Sequence, residues 1–191
     1  MNHHVTCIIL NYNEWNVTQK CISSLEHSSH DNFNIILIDN NSPTEPTNIV
    51  YENKTYQLFD NHYDNNEFNN KVDVSKKLYS IKSIQNGGFP YGVNIGITIA
   101  LNNLKSDYVW ILNNDTICNT DTLKHLVDES SQLCIIGSTL IDKNHHKLRS
   151  IGRIHPVLGI SLPEKKKSKY RYIPFTSALI SQQTLTSVGK L

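Results

Sequence analysis

The chain has 191 residues, with 18 Lys and Arg against 17 Asp and Glu and a formal net charge of +1. That balance excludes a histone-like or polybasic nucleic-acid binder, and no nucleic-acid partner is expected. A domain of this length buries about 70% of its unfolded surface without a disulfide or metal, so residues 1–191 read as a single domain.

Apolar residues make up only 38%, and about two dozen asparagines account for much of the polar excess. No run approaches the roughly 18 consecutive apolar residues of a membrane span. Met1-Asn2-His3-His4 enters an apolar segment without the basic region or cleavage site of a signal peptide. Cys7, Cys21, Cys118 and Cys134 include no Cys-x-x-Cys pair. They read as free thiols, buried at Cys7 and Cys134, in a reducing, cytoplasmic setting.

In chain order, Val5–Leu10 is a buried strand, and Glu14–Ser28 a helix with Val17, Cys21 and Leu25 on one face and Ile22 beside them. Ile35–Ile38 is a second strand, followed by the turn cluster Asp39-Asn40-Asn41-Ser42-Pro43. The stretch from Glu45 is polar and aperiodic apart from a weak helical turn around Ile49, and residues 60–77 read as an Asn-rich insertion or loop. Tyr79–Ile84 is a third strand, leading through Asn86-Gly87-Gly88-Phe89-Pro90 into a helix over Tyr91–Leu104 with Val93, Ile97, Ala100, Leu101 and Leu104 inward. Tyr108–Leu112 is the most apolar strand, and Asn119 or Thr120 caps a helix burying Leu123, Leu126 and Val127. Strands at Leu133–Ile136, Lys147–Ile154 and Tyr172–Ser181 follow, and a helix over Gln182–Val188 stops at Gly189.

Alternating helices and buried strands predict an α/β fold: a doubly wound, mostly parallel sheet with helices on both faces. Ligands in such folds lie outside the carboxyl ends of the strands, which directs attention to the exits at Asn11, Asp39 and Asn113. The first exit, Asn11-Tyr12-Asn13-Glu14, has no glycine, so neither a dinucleotide fingerprint nor a Walker A loop is present. A sugar-phosphate nucleotidyltransferase is disfavoured too, because the Gly-rich loop with Arg or Lys that it needs near residue 10 is missing. Asp39 can accept from a base N–H or a ribose hydroxyl; a turn aspartate bonding its own backbone is the alternative. Asn113-Asn114-Asp115 offers one carboxylate and two amides, a donor set for Mg²⁺ or Mn²⁺ completed by diphosphate oxygens, or else a capped turn.

Four motifs occur in order at these places: Asn11-Tyr12-Asn13, Asp39-Asn40-Asn41-Ser42, Asn86-Gly87-Gly88-Phe89 with Asn94-Ile95-Gly96, and Leu112-Asn113-Asn114-Asp115-Thr116. Together they resemble glycosyltransferase family 2, enzymes of the GT-A fold, and within it the rhamnosyltransferase-like branch. The resemblance runs from Val5 to the C-terminus. It implies that Asn11, Tyr12 and Asn13 line a nucleotide pocket, that Asp39 holds a uracil or thymine edge, and that Asn86, Gly87 and Gly88 let the backbone approach the nucleoside and sugar. Asn94 would point from the same segment toward the pocket. Asn113, Asn114 and Asp115 would form a DxD-like motif, with Asn113 in place of its first aspartate and Asp115 meeting the metal.

The implied function is inverting transfer from a UDP- or dTDP-sugar, with Mg²⁺ or Mn²⁺, to a saccharide or lipid-linked acceptor in surface polysaccharide synthesis. The family's general base lies in an acidic pair beyond a segment matching Val188-Gly189-Lys190-Leu191. The catalytic residue is therefore expected beyond Leu191, and the single domain is expected to be C-terminally incomplete. The alternative is an inactive nucleotide-sugar-binding module. Ser177 stands where the family often has glycine.

Lys165-Lys166-Lys167, Lys169 and Arg171 form a basic loop, read either as solvated or as a peripheral contact with acidic lipid headgroups at the inner face of the membrane. The adjacent pairs His3-His4 and His145-His146 lack the spacing of a zinc site. Trp15 and Trp110 read as core or pocket-wall aromatics.

Overall fold

Apolar, β-branched runs supply the strands of the computed structural model, which describes residues 2–44, 49–56, 59–60, 77–142, 144, 146–148, 151–155, 161–163 and 171–191. The strands are β1 (Val5–Asn11), β2 (Phe33–Asp39), β3 (Ile49–Tyr51), β4 (Lys54–Tyr56), β5 (Phe59–Asp60), β6 (Leu78–Lys82) and β7 (Tyr108–Asn113). They continue with β8 (Ile135–Gly137), β9 (Leu140–Ile141), β10 (Lys147–Leu148), β11 (Gly152–Ile154), β12 (Ser161–Pro163), β13 (Arg171–Tyr172) and β14 (Ser177–Ser181). The helices are α1 (Trp15–Ser24), α2 (Gly88–Asn102), α3 (Thr122–Asp128) and α4 (Gln182–Val188).

The main sheet has seven strands in the order β5-β6-β2-β1-β7-β14-β8. From β5 to β7 every pairing is parallel, whereas β14 runs antiparallel to both β7 and β8. Alternation along the strands divides the core between the two faces. Val5, Cys7 and Ile9 of β1 join Trp110 and Leu112 of β7 beneath Cys21, Ile22 and Leu25 and the α3 residues Leu123, Leu126 and Val127. On the other face Ile8, Val109, Ile111 and Ile180 meet Val93, Ile97 and Ala100 of α2, while Ile36, Ile38 and Ile81 meet Ile95 and Ile99. Helix α2 thus buries two stripes, because it lies over the middle of the sheet. Its approach to β1 is close: a Cβ on Gly92 would fall 2.3 Å from Leu10 Cδ1, and one on Gly96 2.8 Å from Ile8 Cγ2. The fold is therefore the expected α/β architecture with a mostly parallel sheet.

Local expectations needed correction. The segment around Ile49 is no helical turn: β3 pairs antiparallel with β4, and Gln19 of α1 grips Val50 through both its backbone N–H and its carbonyl. Helix α1 ends at Ser24, short of Ser28, and on its inner face Thr18 is buried where Val17 was expected. Helix α3 starts at Thr122 with Asp121 at its N-cap, not Asn119 or Thr120, since the Thr120 carbonyl accepts from the Ser29 N–H at 2.9 Å. Lys147–Ile154 divides into β10 and β11, and Tyr172–Ser181 into the end of β13 and the sheet strand β14. Helix α4 is as expected, with Ser181 accepting from the Thr184 N–H and Gly189 closing it at φ 92.

The residue 60–77 insertion falls mostly outside the described residues. Its ends lie at the sheet edge, Asp60 in β5 and Lys77 donating through Nζ to the Asp31 and Phe33 carbonyls. The lysines of the basic loop and His145 also lie outside the described residues; Arg171 is in β13. Cys7 and Cys21 are buried, Cys118 and Cys134 half-buried, and all four are free thiols, so Cys21 and not Cys134 is the second fully buried one. No helix among the described residues is long and apolar enough to cross a membrane.

Candidate nucleotide site at the strand exits

Strand β1 lies between β2 and β7: the chain runs through α1 to β2 and on outward to β6 on one side of β1, then crosses back through α2 to β7 on the other side. This reversal is where a doubly wound sheet opens a crevice at its carboxyl edge. The three expected exits meet there: Asn11 is in register with Asp39, and Leu10 with Asn113.

Hydrogen bonds join the exits into one network. Asn11, fully buried, donates through Nδ2 to Asp39 Oδ1 at 3.2 Å and to Ser42 Oγ at 3.4 Å. Its Oδ1 accepts from the Glu14 N–H at 3.2 Å and from Thr18 Oγ1 at 2.8 Å. Thr18 Oγ1 in turn accepts from Asn114 Nδ2 at 3.0 Å, which ties β7's exit to α1 and thereby to β1. Asp39, also fully buried, takes Ser42 Oγ at 2.5 Å on Oδ1 and the Ser42 N–H at 3.1 Å on Oδ2. The turn-aspartate geometry is therefore formed. Asn13 and Asn41 both sit at φ 62, the left-handed region that asparagine tolerates better than most residues, and the Asn13 N–H donates to Ser42 Oγ at 2.8 Å. The Asn11–Asn13 and Asp39–Ser42 turns brace each other, which is one physical use of the asparagines.

The Gly-rich turn closes one side. Asn86 Oδ1 accepts from the Gly88 N–H at 3.1 Å and from Asn40 Nδ2 at 2.9 Å, and Gly88 adopts φ 81, where glycine is favoured. Tyr12 faces solvent at 46% exposed, so it can only wall the rim.

Asn94 departs from expectation. Its amide does not stand free for a nucleotide: Nδ2 donates to the Leu191 carbonyl at 2.6 Å, and Oδ1 accepts the Leu191 N–H at 3.0 Å. Lys190 Nζ adds a 2.7 Å bond to Thr98 Oγ1, so the segment after α4 is strapped along α2.

On the other side of β1, Asp115 is exposed just beyond β7. With Asn114 Nδ2 bound to Thr18, the Asn114 carbonyl oxygen and the Asp115 carboxylate are the hard donors of that exit. Among the described residues no group of three or more His, Cys, Asp or Glu side chains could hold a metal. The donor set suits a hard cation that draws most of its shell from diphosphate oxygens and water. Beneath it lie Cys21, whose thiol donates to the Asn113 carbonyl at 3.6 Å, and Cys118. Burial pushes both thiols up, Cys118 to about 12; for Cys21 the neighbouring Cys118 and Asp115 add to the shift.

Three participants went unassigned in the sequence. Ser42 stands three residues after Asp39 in the very motif that singled Asp39 out. Asn40, between them, bridges β2 to the Gly-rich turn. Thr18 had no signal beyond being a polar residue on an otherwise apolar helix face.

The sheet order and the crevice at its carboxyl edge are those of the GT-A nucleotide-diphospho-sugar transferase fold. The family model of "Glycosyl transferase family 2" matches residues 6–184, and the chain belongs to that family. Its branch within the family is not fixed by that match. Among solved structures it is similar to a mannosyltransferase, PcManGT, from Pyrobaculum calidifontis in complex with GDP-Man and Mn²⁺, with 12% identity over 98% of this chain and 47% of that one, TM-score 0.58. S. aureus TarS 1–349 is similar at 15% identity over 96% of this chain and 48% of that one, TM-score 0.53. In complex with UDP it matches at 14% identity over the same shares, TM-score 0.55. The chain thus spans about half the length of these structures. No curated protein sequence matches it.

Proposed function

We propose that the strand-exit crevice binds a nucleotide-diphosphate sugar and that the whole protein transfers the sugar, with inversion, to a saccharide or lipid-linked acceptor in surface polysaccharide synthesis. The observation carrying this reading is the network Asp39–Asn11–Thr18–Asn114, which fixes three adjacent exits of a family 2 chain around the crevice. The donors proposed are UDP- and dTDP-sugars, with rhamnosyl or hexosyl transfer. A GDP-sugar is included in the test because a structure of similar fold holds GDP-Man.

Within the crevice the residues divide the work. Asn11 and Ser42 fix the Asp39 carboxylate on what would be the nucleoside side, next to the turn that carries Gly87 and Gly88. Asn113 and Asn114 are neutral, so they line the diphosphate side without adding repulsion. Asp115 would hold Mg²⁺ or Mn²⁺, and the ion, when bound, would offset the negative charge that builds on the departing diphosphate. With one carboxylate, cation affinity should depend on the nucleotide being present.

Incubating the purified chain with UDP-, dTDP- and GDP-sugars, Mn²⁺ and a saccharide acceptor tests the reading. Nucleotide binding with sugar transfer supports it in full. Binding with at most slow hydrolysis assigns the 191 residues to a nucleotide-sugar-binding module. Failure to bind any of the three overturns it.

A further inference from the structure

Of the chain's asparagines only Asn86 precedes a glycine. An asparagine side-chain carbonyl carbon lies one five-membered ring away from the next residue's backbone nitrogen, and a glycine there has no side chain to shield that nitrogen. The fold keeps the pair in water: residues 84–88 form an exposed turn between β6 and α2, at the carboxyl edge of the sheet. Packing also holds the glycine in place, because a Cβ on Gly87 would fall 2.3 Å from Tyr91 Cγ.

The bonding around Asn86 favours attack on its side chain. Its Oδ1 accepts from the Gly88 N–H at 3.1 Å and from Asn40 Nδ2 at 2.9 Å. The Gly88 N–H can only donate, so the atom facing it is the oxygen. Two donors on one carbonyl oxygen draw charge from the carbon and stabilise the oxyanion that forms on attack. Among the described residues neither Asn86 Nδ2 nor the Gly87 N–H makes a hydrogen bond. Nucleophile and leaving group are thus both open to solvent, which can take a proton from one and supply one to the other. Asn41, in the neighbouring turn, lacks this arrangement, since the N–H that follows it, that of Ser42, is committed to Asp39 Oδ2 at 3.1 Å.

We propose that Asn86 is a site of spontaneous deamidation. The Gly87 nitrogen, losing its proton to hydroxide, attacks Asn86 Cγ. The new C–N bond closes a cyclic imide as the Cγ–Nδ2 bond breaks, and Nδ2 leaves as ammonia with a proton from water. Water then opens the ring: cleavage at Cγ gives aspartate, and cleavage at the backbone carbonyl gives isoaspartate. In sum, asparagine and water become an acid and ammonia, with no oxidant or reductant. Aspartate puts a new charge in the turn. Isoaspartate lengthens its backbone by one methylene and moves the oxygen that holds Asn40 and Gly88 into the main chain. The consequence for ligands, which rests on the strand exits being a nucleotide site, is weaker nucleotide binding as the molecule ages.

The test incubates freshly purified chain at pH 6 and pH 9 and follows each asparagine-bearing peptide by mass spectrometry, with isoaspartate read by an isoaspartyl methyltransferase. At pH 9 Asn86 should acquire the mass gain of an amide becoming an acid at least about tenfold faster than Asn41, and at pH 6 more slowly, because the attacking nitrogen must lose a proton. Asn86→Gln should show no such gain at this position over the same time. Asn40→Ala, folded by circular dichroism, loses one of the two donors and should react about threefold more slowly or less. A folded Asn40→Ala that ages as fast as wild type overturns the proposal. Wild type alone also decides, however the variants fold: an Asn86 that stays intact, or changes no faster than Asn41, overturns it.

The aged fraction, separated by ion exchange on its added negative charge, should bind UDP or GDP in Mn²⁺ about fivefold or more weakly than fresh chain by calorimetry. Equal affinity overturns the consequence for ligands. If fresh chain binds neither nucleotide, the site reading fails, whereas the modification itself stands or falls on the mass measurement.

Discussion

Asn11 and Asp39 stand in register at the ends of adjacent parallel strands, and the Asn11 amide donates to the Asp39 carboxylate across 3.2 Å. Asn11 is thus a structural hub before it is anything else, since it also accepts from the Glu14 N–H and Thr18 Oγ1. Asn11→Ala should cost on the order of 2–4 kcal/mol of stability by stranding several buried polar groups at once. Tyr12→Ala, one residue on and exposed, should change it by less than about 0.5 kcal/mol. Urea denaturation of the two variants checks the contrast, and equal midpoints would remove Asn11 from this role.

Ser177 has a structural role of its own. It is buried on β14, where its Oγ accepts from the Trp110 indole N–H at 2.9 Å and contacts Ser138 Oγ at 2.6 Å. Trp110 is fully buried, so Ser177→Ala leaves its N–H without a partner and should cost about 1–3 kcal/mol. Denaturation followed by tryptophan fluorescence measures this. A variant as stable as wild type would show that the indole finds another acceptor.

The buried thiols make stability fall in alkali. Burial pushes Cys7, Cys21 and Cys118 up from an ordinary value of 9.0, Cys118 to about 12. In the unfolded chain these thiols ionise near that ordinary value, while the folded chain keeps its protons. The unfolded state therefore binds fewer protons above about pH 9, and stability declines from there toward about pH 12, with no such contribution at neutral pH. Urea midpoints between pH 7 and pH 10.5 should drop above pH 9, and the drop should shrink in Cys21→Ala. Cys7, Cys21 and Cys118 should likewise be slow toward a thiol reagent at pH 8 in the folded protein.

Much of the sheet was legible because its strands are short apolar runs with abrupt polar exits, as at Leu112 followed by Asn113 and Asn114. The antiparallel course of β14 was not, since a buried strand reads the same in either direction. Nor was the β3–β4 hairpin: Ile49 and Tyr51 bury one face, but so short a run in polar surroundings carries no reliable period. The exits Asn11, Asp39 and Asn113 were found as positions, while the bonds of Thr18, Asn40 and Ser42 depend on how separate turns meet in space. Asn94 shows the limit most plainly. Its motif context suggested the pocket, yet its amide is paired with the backbone of Leu191, 97 residues away.

The central claim, a nucleotide-dependent cation site at the end of β7, is tested by titrating UDP and GDP into wild type and Asp115→Ala, with and without Mn²⁺. Asp115 is exposed, so the substitution should leave the urea midpoint unchanged. Wild type should bind one of the nucleotides at least tenfold more tightly with Mn²⁺ than without, and Asp115→Ala should lose that enhancement while keeping the metal-free affinity. An enhancement that survives in Asp115→Ala would contradict the account.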